Sequence, residues 1–317
     1  MNNSSQFFYG TELQGTGEMS QENAAFGVAV LLLASLGLIL GSTNLYYIRT
    51  VKIFHDAFGW LWASRTIGEM VNSVVHVLYT APVTLLQPQQ IKLWFGIAPY
   101  IILVVGSVSA CLTHGFIAVN RNIAVYFPLK YASIFSKKNR CVIIAFTWCV
   151  GLFVAAFFFV FPCNFVGYSP QQLGYIFLKC FAGQERNFSY VGTIVNHLCL
   201  VICVFTLVID LFSIVKVVYV QKKRKNDRLF KLNVRFFKQS AIENVIMLCN
   251  RAVVAHQNYR NIPGEVNIPL AILEAVTVLG AHIVNPLSFI VLNPEIRARI
   301  SRKMVVEPIH SNPYRKY

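Results

Sequence analysis

Residues Phe26–Ile48 read FGVAVLLLASLGLILGSTNLYYI, an apolar run that contains no charged side chain. A helix of about 20 residues crosses the roughly 30 Å hydrocarbon core of a membrane. Six more apolar runs follow, so the chain predicts an all-α membrane protein with seven spanning helices. The predicted spans are Phe26–Ile48, Ala57–Tyr79, Phe95–Val119, Val142–Phe161, Val191–Ile214, Phe236–Ala255 and Ile268–Leu292.

The 28 lysines and arginines are unevenly divided among the segments that connect these spans. Twenty-two lie in the first, third and fifth connections, the adjoining helix ends and the C-terminal tail, whereas four lie in the other connections. Because positive charge is retained in the cytoplasm, the N-terminus is predicted outside and the C-terminus inside. The predicted organisation is an extracellular tail over 1–25, a helix bundle over 26–292 and a cytoplasmic segment over 293–317.

Composition excludes several other classes of protein. A mean hydropathy of +0.54 with 13% charged residues is too apolar for a soluble domain of this length. A net charge of +15 would ordinarily suggest nucleic acid as a partner. Here the basic residues line the face that meets anionic lipid headgroups, so the sequence predicts a lipid bilayer as partner and no nucleic acid.

Glycosylation and disulfide candidates fall on the predicted outer side. Sequons begin at Asn2, Asn3 and Asn187, and each is a candidate N-glycosylation site. Of the eight cysteines, Cys163 and Cys180 share one extracellular connection, where a disulfide could form. The other six lie in apolar spans or at the cytoplasmic edge, where thiols stay reduced.

The end of the third span carries the most specific local pattern. Asn120-Arg121-Asn122 is followed by Pro128 and Tyr131. Most arginines so placed only extend toward the membrane surface. The spacing, however, resembles the Asp-Arg-Tyr segment and second intracellular loop of rhodopsin-like G-protein-coupled receptors. The resemblance implies that Arg121 controls the opening of the cytoplasmic face to a G protein.

The seventh span adds a second match. Asn285-Pro286-Leu-Ser-Phe289 is similar to the Asn-Pro-x-x-Tyr of the same receptors, with Phe in place of Tyr. Pro286 removes a backbone hydrogen bond and so loosens the helix. The resemblance implies a coupling and activation role for one set of residues, namely Asn120, Arg121, Pro128, Tyr131, Asn285 and Pro286.

Finer detail narrows the resemblance. Phe58-Gly59 with Ala63-Ser64-Arg65 in the second span, and Phe135 seven residues after Pro128, resemble the nematode serpentine chemoreceptors of the Srx class. That resemblance implies a receptor of the plasma membrane, with the cilium of a sensory neuron as a candidate place.

Departures from the receptor pattern affect two expectations. Asn120 replaces the usual acid, and Arg235 and Lys238 make the start of the sixth span basic, so no acidic partner for Arg121 is expected there. Gly96 stands where the receptors carry a disulfide cysteine in the third span. A bridge between Cys163 and Cys180 is therefore the favoured extracellular link.

A short helix is predicted after the seventh span. Asn293 can cap it and Pro294 suits its first turn. Ile296, Ile300 and Met304 recur every four residues, which is typical of an amphipathic helix on a membrane surface. It matches the eighth helix of the receptors, and a solvated basic tail is the alternative.

Ionisable residues inside a bundle are unfavourable unless they are paired or wetted. Arg65 and Glu69 are one turn apart and are predicted to pair. Asn44, His282 and Asn285 are expected to join Glu69 in an intramembrane polar cluster, as in the resembled receptors. Glu243 has no predicted partner, and His114 is predicted to be a satisfied core histidine.

The outer ends of the spans bear on the ligand. Arg251 and Glu274 are shallow enough to pair with each other or to contact a ligand. Leu103 stands where amine receptors carry an aspartate, and the seventh span has no lysine for retinal. We expect a pocket that includes Leu103, Arg251 and Glu274 and binds a small, rather apolar molecule. Neither a metal nor a cofactor is predicted.

The sequence therefore favours a G-protein-coupled chemosensory receptor, whose partners are a small chemical ligand and a heterotrimeric G protein. A transporter or a ligand-gated channel is the alternative, and it would predict discontinuous helices or repeat symmetry. An enzyme is not predicted, because motifs such as His-Glu-x-x-His and Gly-x-Ser-x-Gly are missing from the sequence.

Overall fold

The computed structural model describes residues 9–223, 240–254 and 268–304, and these are mostly helical. The helices in chain order are α1 (Gln21–Thr50), α2 (Ala57–Val75), α3 (Ala81–Leu86), α4 (Leu93–Tyr126), α5 (Pro128–Ile134), α6 (Lys137–Val160), α7 (Tyr190–Lys223), α8 (240–254), α9 (Ile268–Leu292) and α10 (Pro294–Met304). Strands β1 (Val166–Ser169) and β2 (Gly174–Phe177) form an antiparallel hairpin.

Five helices in this part of the chain are long and apolar enough to cross a membrane: α1, α4, α6, α7 and α9. Several helices also continue beyond the predicted spans. The third predicted span ended at Val119, whereas α4 continues to Tyr126. Arg121 therefore lies inside a helix and not at its end.

Helix starts follow the expected capping chemistry. The Ser20 hydroxyl accepts from the Asn23 N–H at 3.1 Å at the start of α1. The Asp56 carboxylate accepts from the Gly59 N–H at 2.9 Å at the start of α2. Burial raises the pKa of the Asp56 carboxyl, and the Gly59 hydrogen bond opposes that rise.

α4 is the central helix of the bundle. Half of its most apolar stretch is buried, against 28% for α6 and for α7. Gly68 of α2 faces Gly106 of α4, and a Cβ on either glycine would lie 2.9 Å from the carbonyl oxygen of the other. Small residues thus let α2 and α4 approach closely, as is common between helices in membranes.

One wider turn lies at the end of the second predicted span, and the chain continues beyond it as α3. Residues His76–Thr80 form a π-helical turn between α2 and α3, and the Ala81 N–H donates to the His76 carbonyl five residues back. Beyond the turn, the Thr80 hydroxyl is 2.8 Å from the Tyr175 hydroxyl of the hairpin. The Thr84 hydroxyl bonds to that of Tyr168.

The hairpin covers one end of the bundle, which we call the hairpin end. Val166 pairs with Phe177 and Ser169 with Gly174. Leu173, in the turn between the strands, has a φ of 54° and is 3% exposed. It belongs to a cluster with residues of α1, α3 and α9: Phe26, Val30, Ala34, Ala81, Ala271 and Leu279. The hairpin tip is therefore part of the core.

A disulfide joins Cys163 and Cys180 on either side of the hairpin, with their Cα atoms 5.6 Å apart. This is the pairing that the sequence favoured.

The N-terminal segment also packs on the hairpin end. The Gln14 side chain donates to the Ile91 carbonyl at 3.1 Å and accepts from the Ile91 N–H at 2.6 Å. Leu13 is fully buried, and a Cβ on Gly96 would lie 2.4 Å from its methyl carbon. Gly96 therefore leaves room for Leu13, which explains why a side chain is disfavoured at that position.

The opposite end is closed by an aromatic cluster centred on Phe289, which is fully buried. Its ring lies 4.9 Å from Phe54 and 5.1 Å from Trp62 between centroids. The replacement of Tyr by Phe in the Asn-Pro-x-x-Tyr pattern suits this site, because a hydroxyl would be buried there. Ile296 of α10 is fully buried in the same cluster, so α10 is anchored to the bundle.

Loss of the disulfide is expected to destabilise the hairpin end. Replacing both Cys163 and Cys180 with serine should lower the free energy of unfolding by about 2–4 kcal/mol, because the unfolded chain gains freedom. Thermal unfolding of the purified protein in detergent measures the change. Cys141→Ser, at an exposed free cysteine, is the matched control. If the protein with serine at both disulfide positions melted at the same temperature as the Cys141→Ser control, the prediction would be wrong.

Candidate functional site

The Arg65 guanidinium is the centre of a buried polar network in the middle of the bundle. Arg65 is 1% exposed, and its Nε donates to Glu69 Oε1 at 3.0 Å. Its Nη1 donates to Glu243 Oε2 of α8 at 2.7 Å. The predicted pair of Arg65 and Glu69 is therefore present, but the expectation that Glu243 lacks a partner is wrong. A sequence window cannot reveal this contact, since the two residues are 178 positions apart.

His114 links this centre to the next part of the network. Its Nδ1 lies 2.7 Å from Arg65 Nη1, and its Nε2 lies 2.7 Å from the Asn244 amide oxygen. Because guanidinium can only donate, Nδ1 accepts and Nε2–H donates, which fixes a neutral histidine. Asn244 then donates through Nδ2 to Asp210 Oδ2 of α7 at 3.0 Å.

Arg121 ends the network near the end opposite the hairpin. It is 8% exposed, and its Nη2 lies 3.2 Å from Asp210 Oδ1. The same nitrogen donates to the Ser240 hydroxyl of α8 at 2.6 Å, and Ser240 in turn donates to Asp210. The prediction that the start of the sixth span supplies no acid to Arg121 concerns Arg235 and Lys238, which lie outside the described residues. The sequence did not predict that α7 supplies Asp210, although an acid inside an apolar span is itself a signal of function.

Of the predicted coupling residues around Arg121, Asn120 and Tyr131 are joined by a hydrogen bond, whereas Pro128 is exposed. The Asn120 amide donates to the Tyr131 hydroxyl at 3.2 Å, which joins α4 to α5. Pro128 occupies the first turn of α5, where a missing N–H does no harm. Burial raises the pKa of the Tyr131 hydroxyl, and the hydrogen bond from Asn120 opposes that rise.

The seventh predicted span contributes polar groups to the Arg65 centre. Asn285, just before Pro286 in α9, donates to Glu69 Oε1, and the Ser288 hydroxyl donates to Glu243 Oε1 at 2.9 Å. His282 lies 3.4 Å from the Ser73 hydroxyl. The fourth expected member, Asn44 of α1, instead donates to the Thr66 hydroxyl at 3.0 Å. Of the expected partners, Asn285 therefore contacts the Glu69 carboxylate directly.

A cavity of about 170 Å³ lies beneath the hairpin. The sequence-predicted pocket residues Leu103, Arg251 and Glu274 all line it. Its walls include aliphatic and aromatic side chains from five helices and the hairpin, among them Phe26, Val30, Val104, Phe177, Val195 and Leu279. The cavity is thus largely apolar with a few polar groups, which is usual for a small-molecule site.

The sequence did not predict that the hairpin lines this cavity. The sequence predicted a loop at Tyr168, Leu173 and Tyr175, whereas these residues form part of the cavity wall in the structure. Alternation of Val166-Gly-Tyr168 and Tyr175-Ile-Phe177 around a turn is a weak strand signal that could have indicated it.

Of the three candidate N-glycosylation sites, the structure describes Asn187. Asn187 is half-buried and lines the cavity, while the hydroxyl of its sequon serine, Ser189, caps α7 by accepting from the Gly192 N–H at 3.1 Å. Asn2 and Asn3 lie outside the described residues.

Comparison with known proteins gives two findings. The family model described as serpentine type 7TM GPCR chemoreceptor Srx matches residues 31–257. Serpentine receptor class X 45 of Caenorhabditis elegans is 28% identical over 168 residues, which cover 48% of this chain. The match spans 44% of the length of that relative.

Proposed function

Because the chain belongs to the Srx family of serpentine seven-transmembrane chemoreceptors, we propose that it is a chemosensory receptor that signals to a heterotrimeric G protein. The family is a receptor class, and a multi-pass protein of the plasma membrane agrees with the apolar helices. The proposed ligand is a small molecule with a largely apolar body, bound in the cavity beneath the hairpin.

The proposed topology has seven spans, with the hairpin end outside and the Arg121 end in the cytoplasm. The spans are α1, α2 with α3, α4, α6, α7, α8 and α9. The excess of lysine and arginine near the Arg121 end supports this orientation. α10 is the proposed eighth helix, and the burial of Ile296 supports its attachment to the bundle.

One observation carries the proposal: a buried polar network extends from α9 to Arg121. It passes through Glu69, Arg65, His114, Asn244 and Asp210, with each step a hydrogen bond or an ion pair. Such a network has few satisfied arrangements, because every buried charge needs a partner in each of them. A change in the middle of the bundle can thus be coupled to the cytoplasmic end.

In the proposed mechanism, α8 is the helix that changes position. It supplies Glu243 to Arg65, Ser240 to Arg121 and Arg251 to the cavity wall. A ligand that binds one position of α8 more tightly shifts the population toward that position. The contacts of Arg121 then change, and the cytoplasmic face becomes open to a G protein.

Replacing Arg121 with alanine tests this function. Ligand-induced signalling should be lost, while surface expression persists because Asp210 keeps Ser240 and Asn244 as donors. The measurement is G-protein activation in cells that express the full chain, normalised to receptor at the surface. Arg49→Ala, at an exposed arginine near the same end, is the matched control. Unchanged signalling by Arg121→Ala at normal surface level would refute the role of Arg121.

A further inference from the structure

Three arginines lie within the described helices of the bundle core, and they differ in how their charge is balanced. Arg65 lies between the carboxylates of Glu69 and Glu243. Arg121 lies beside the carboxylate of Asp210. Arg251 of α8 has no carboxylate within 4.0 Å among the residues that the structure describes, and instead lines the cavity.

Among the described residues, the titratable groups around Arg251 are thiols and a phenol and not carboxylates. These groups are the thiols of Cys199, Cys111 and Cys203 and then the Tyr100 hydroxyl, and thiols and phenols are ordinarily protonated near neutral pH. A guanidinium remains charged, and a charge removed from water is unfavourable without a partner. The cavity is the place from which a partner can come, because the side chain forms part of its wall.

We propose that the cavity binds an organic carboxylate with an apolar body and that Arg251 holds its head group. The planar guanidinium presents two parallel N–H donors, which match the two oxygens of a carboxylate. The apolar body would lie against the aliphatic side chains of Leu103, Val104 and Leu279. The inference rests on the proposed function for the cavity as a ligand site, and adds the chemical class of the ligand.

The other groups of the wall limit the charge of that ligand. Glu274 of α9 lines the same cavity as Arg251 and Tyr100. A second negative charge on the ligand would be repelled by Glu274. The Asn196 side-chain oxygen, also in the wall, is buried and has no hydrogen-bond partner among the described residues. A monoanion with a further donor, such as a hydroxyl group, fits these features.

Binding to the purified full-length protein in detergent tests the proposal independently of any G protein. Medium-chain straight carboxylic acids, with and without a hydroxyl group on the chain, are compared with their methyl esters, and the melting temperature is measured at increasing concentration. The acids should raise the melting temperature. The esters lack the charged head group, so they should bind with an affinity lower by on the order of tenfold to a hundredfold and need correspondingly higher concentrations for the same rise.

Two substitutions and one control locate the head group. Arg251→Gln should weaken acid binding by the same factor that separates esters from acids. Arg251→Lys keeps the positive charge and should retain part of the affinity for acids. Arg186→Gln removes an arginine at the same end that does not line the cavity, and acid binding should persist. The unliganded melting temperature of each variant reports its folding.

The proposal is overturned if no acid of the series raises the melting temperature, if acids and esters act equally on the original protein, or if Arg251→Gln binds acids unchanged. Should Arg251→Gln fail to fold, the acid-to-ester comparison on the original protein decides. Acid binding without signalling in cells would instead count against the proposed G-protein function and leave the site intact.

Discussion

Arg65→Met is expected to lower the free energy of unfolding by about 3–5 kcal/mol. The substitution leaves Glu69 and Glu243 buried without the guanidinium that both contact. It also removes the donor to His114 Nδ1. Thermal unfolding in detergent, together with the fraction of protein that reaches the cell surface, measures the effect.

A second substitution distinguishes the cost of an unpaired buried charge from the cost of lost side-chain packing. In the Arg65→Met background, Glu243→Gln should recover part of the stability, because it removes a buried charge that has lost its partner. In the original protein the same Glu243→Gln change should destabilise, since it breaks the bond from Arg65. Lys138→Met, at an exposed basic residue, should change the stability by less than about 0.5 kcal/mol. If the loss of stability in the double variant equalled the sum of the losses in Arg65→Met and Glu243→Gln, the pairing of Arg65 with Glu243 would be contradicted.

Asp210→Asn is expected to raise ligand-independent signalling about tenfold. Asp210 holds Arg121, Ser240 and Asn244 in one arrangement across α4, α7 and α8. A hydrogen bond to a charged group contributes about 1.5–3 kcal/mol, and 1.4 kcal/mol shifts an equilibrium tenfold. If this arrangement belongs to the silent state of the receptor, removal of the charge shifts the population toward the signalling state.

Basal G-protein activation per receptor at the surface is the measurement. Asn122→Ala is the matched control, because it removes a neutral bond between α4 and α7, from Asn122 Nδ2 to the Ser213 hydroxyl at 2.9 Å. The control should leave basal signalling close to its original level. Equal basal activity for Asp210→Asn and the original protein would argue against Asp210 as a restraint on Arg121.

Local sequence patterns predicted those features of the fold that depend on residues close to one another in the chain. Apolar length located α1, α4, α6, α7 and α9, since each run must satisfy its own backbone bonds in lipid. The four-residue spacing of Arg65 and Glu69 predicted their pair, and Pro294 marked the start of α10. These features need no knowledge of which helices are neighbours.

Long-range contacts could not be predicted in the same way. The pairing of Arg65 with Glu243 and of Arg121 with Asp210 depends on how helices rotate about their axes and which of them touch. A single sequence contains the charges but not that rotation. The fit of Leu13 against Gly96 is of the same kind, because it arises from shape and not from periodicity.

The π turn at His76–Thr80 has a consequence for comparing this chain with its relatives. A turn with i to i+5 bonds takes up about one residue more than an α turn, so the side chains beyond it are rotated by roughly 100°. The rotation lets Arg65 face α8 while Thr84 bonds to Tyr168 of the hairpin. An alignment with a receptor whose second helix is regular therefore needs a one-residue gap here. Without the gap, the side chains of α3 would be assigned to the wrong face of the helix.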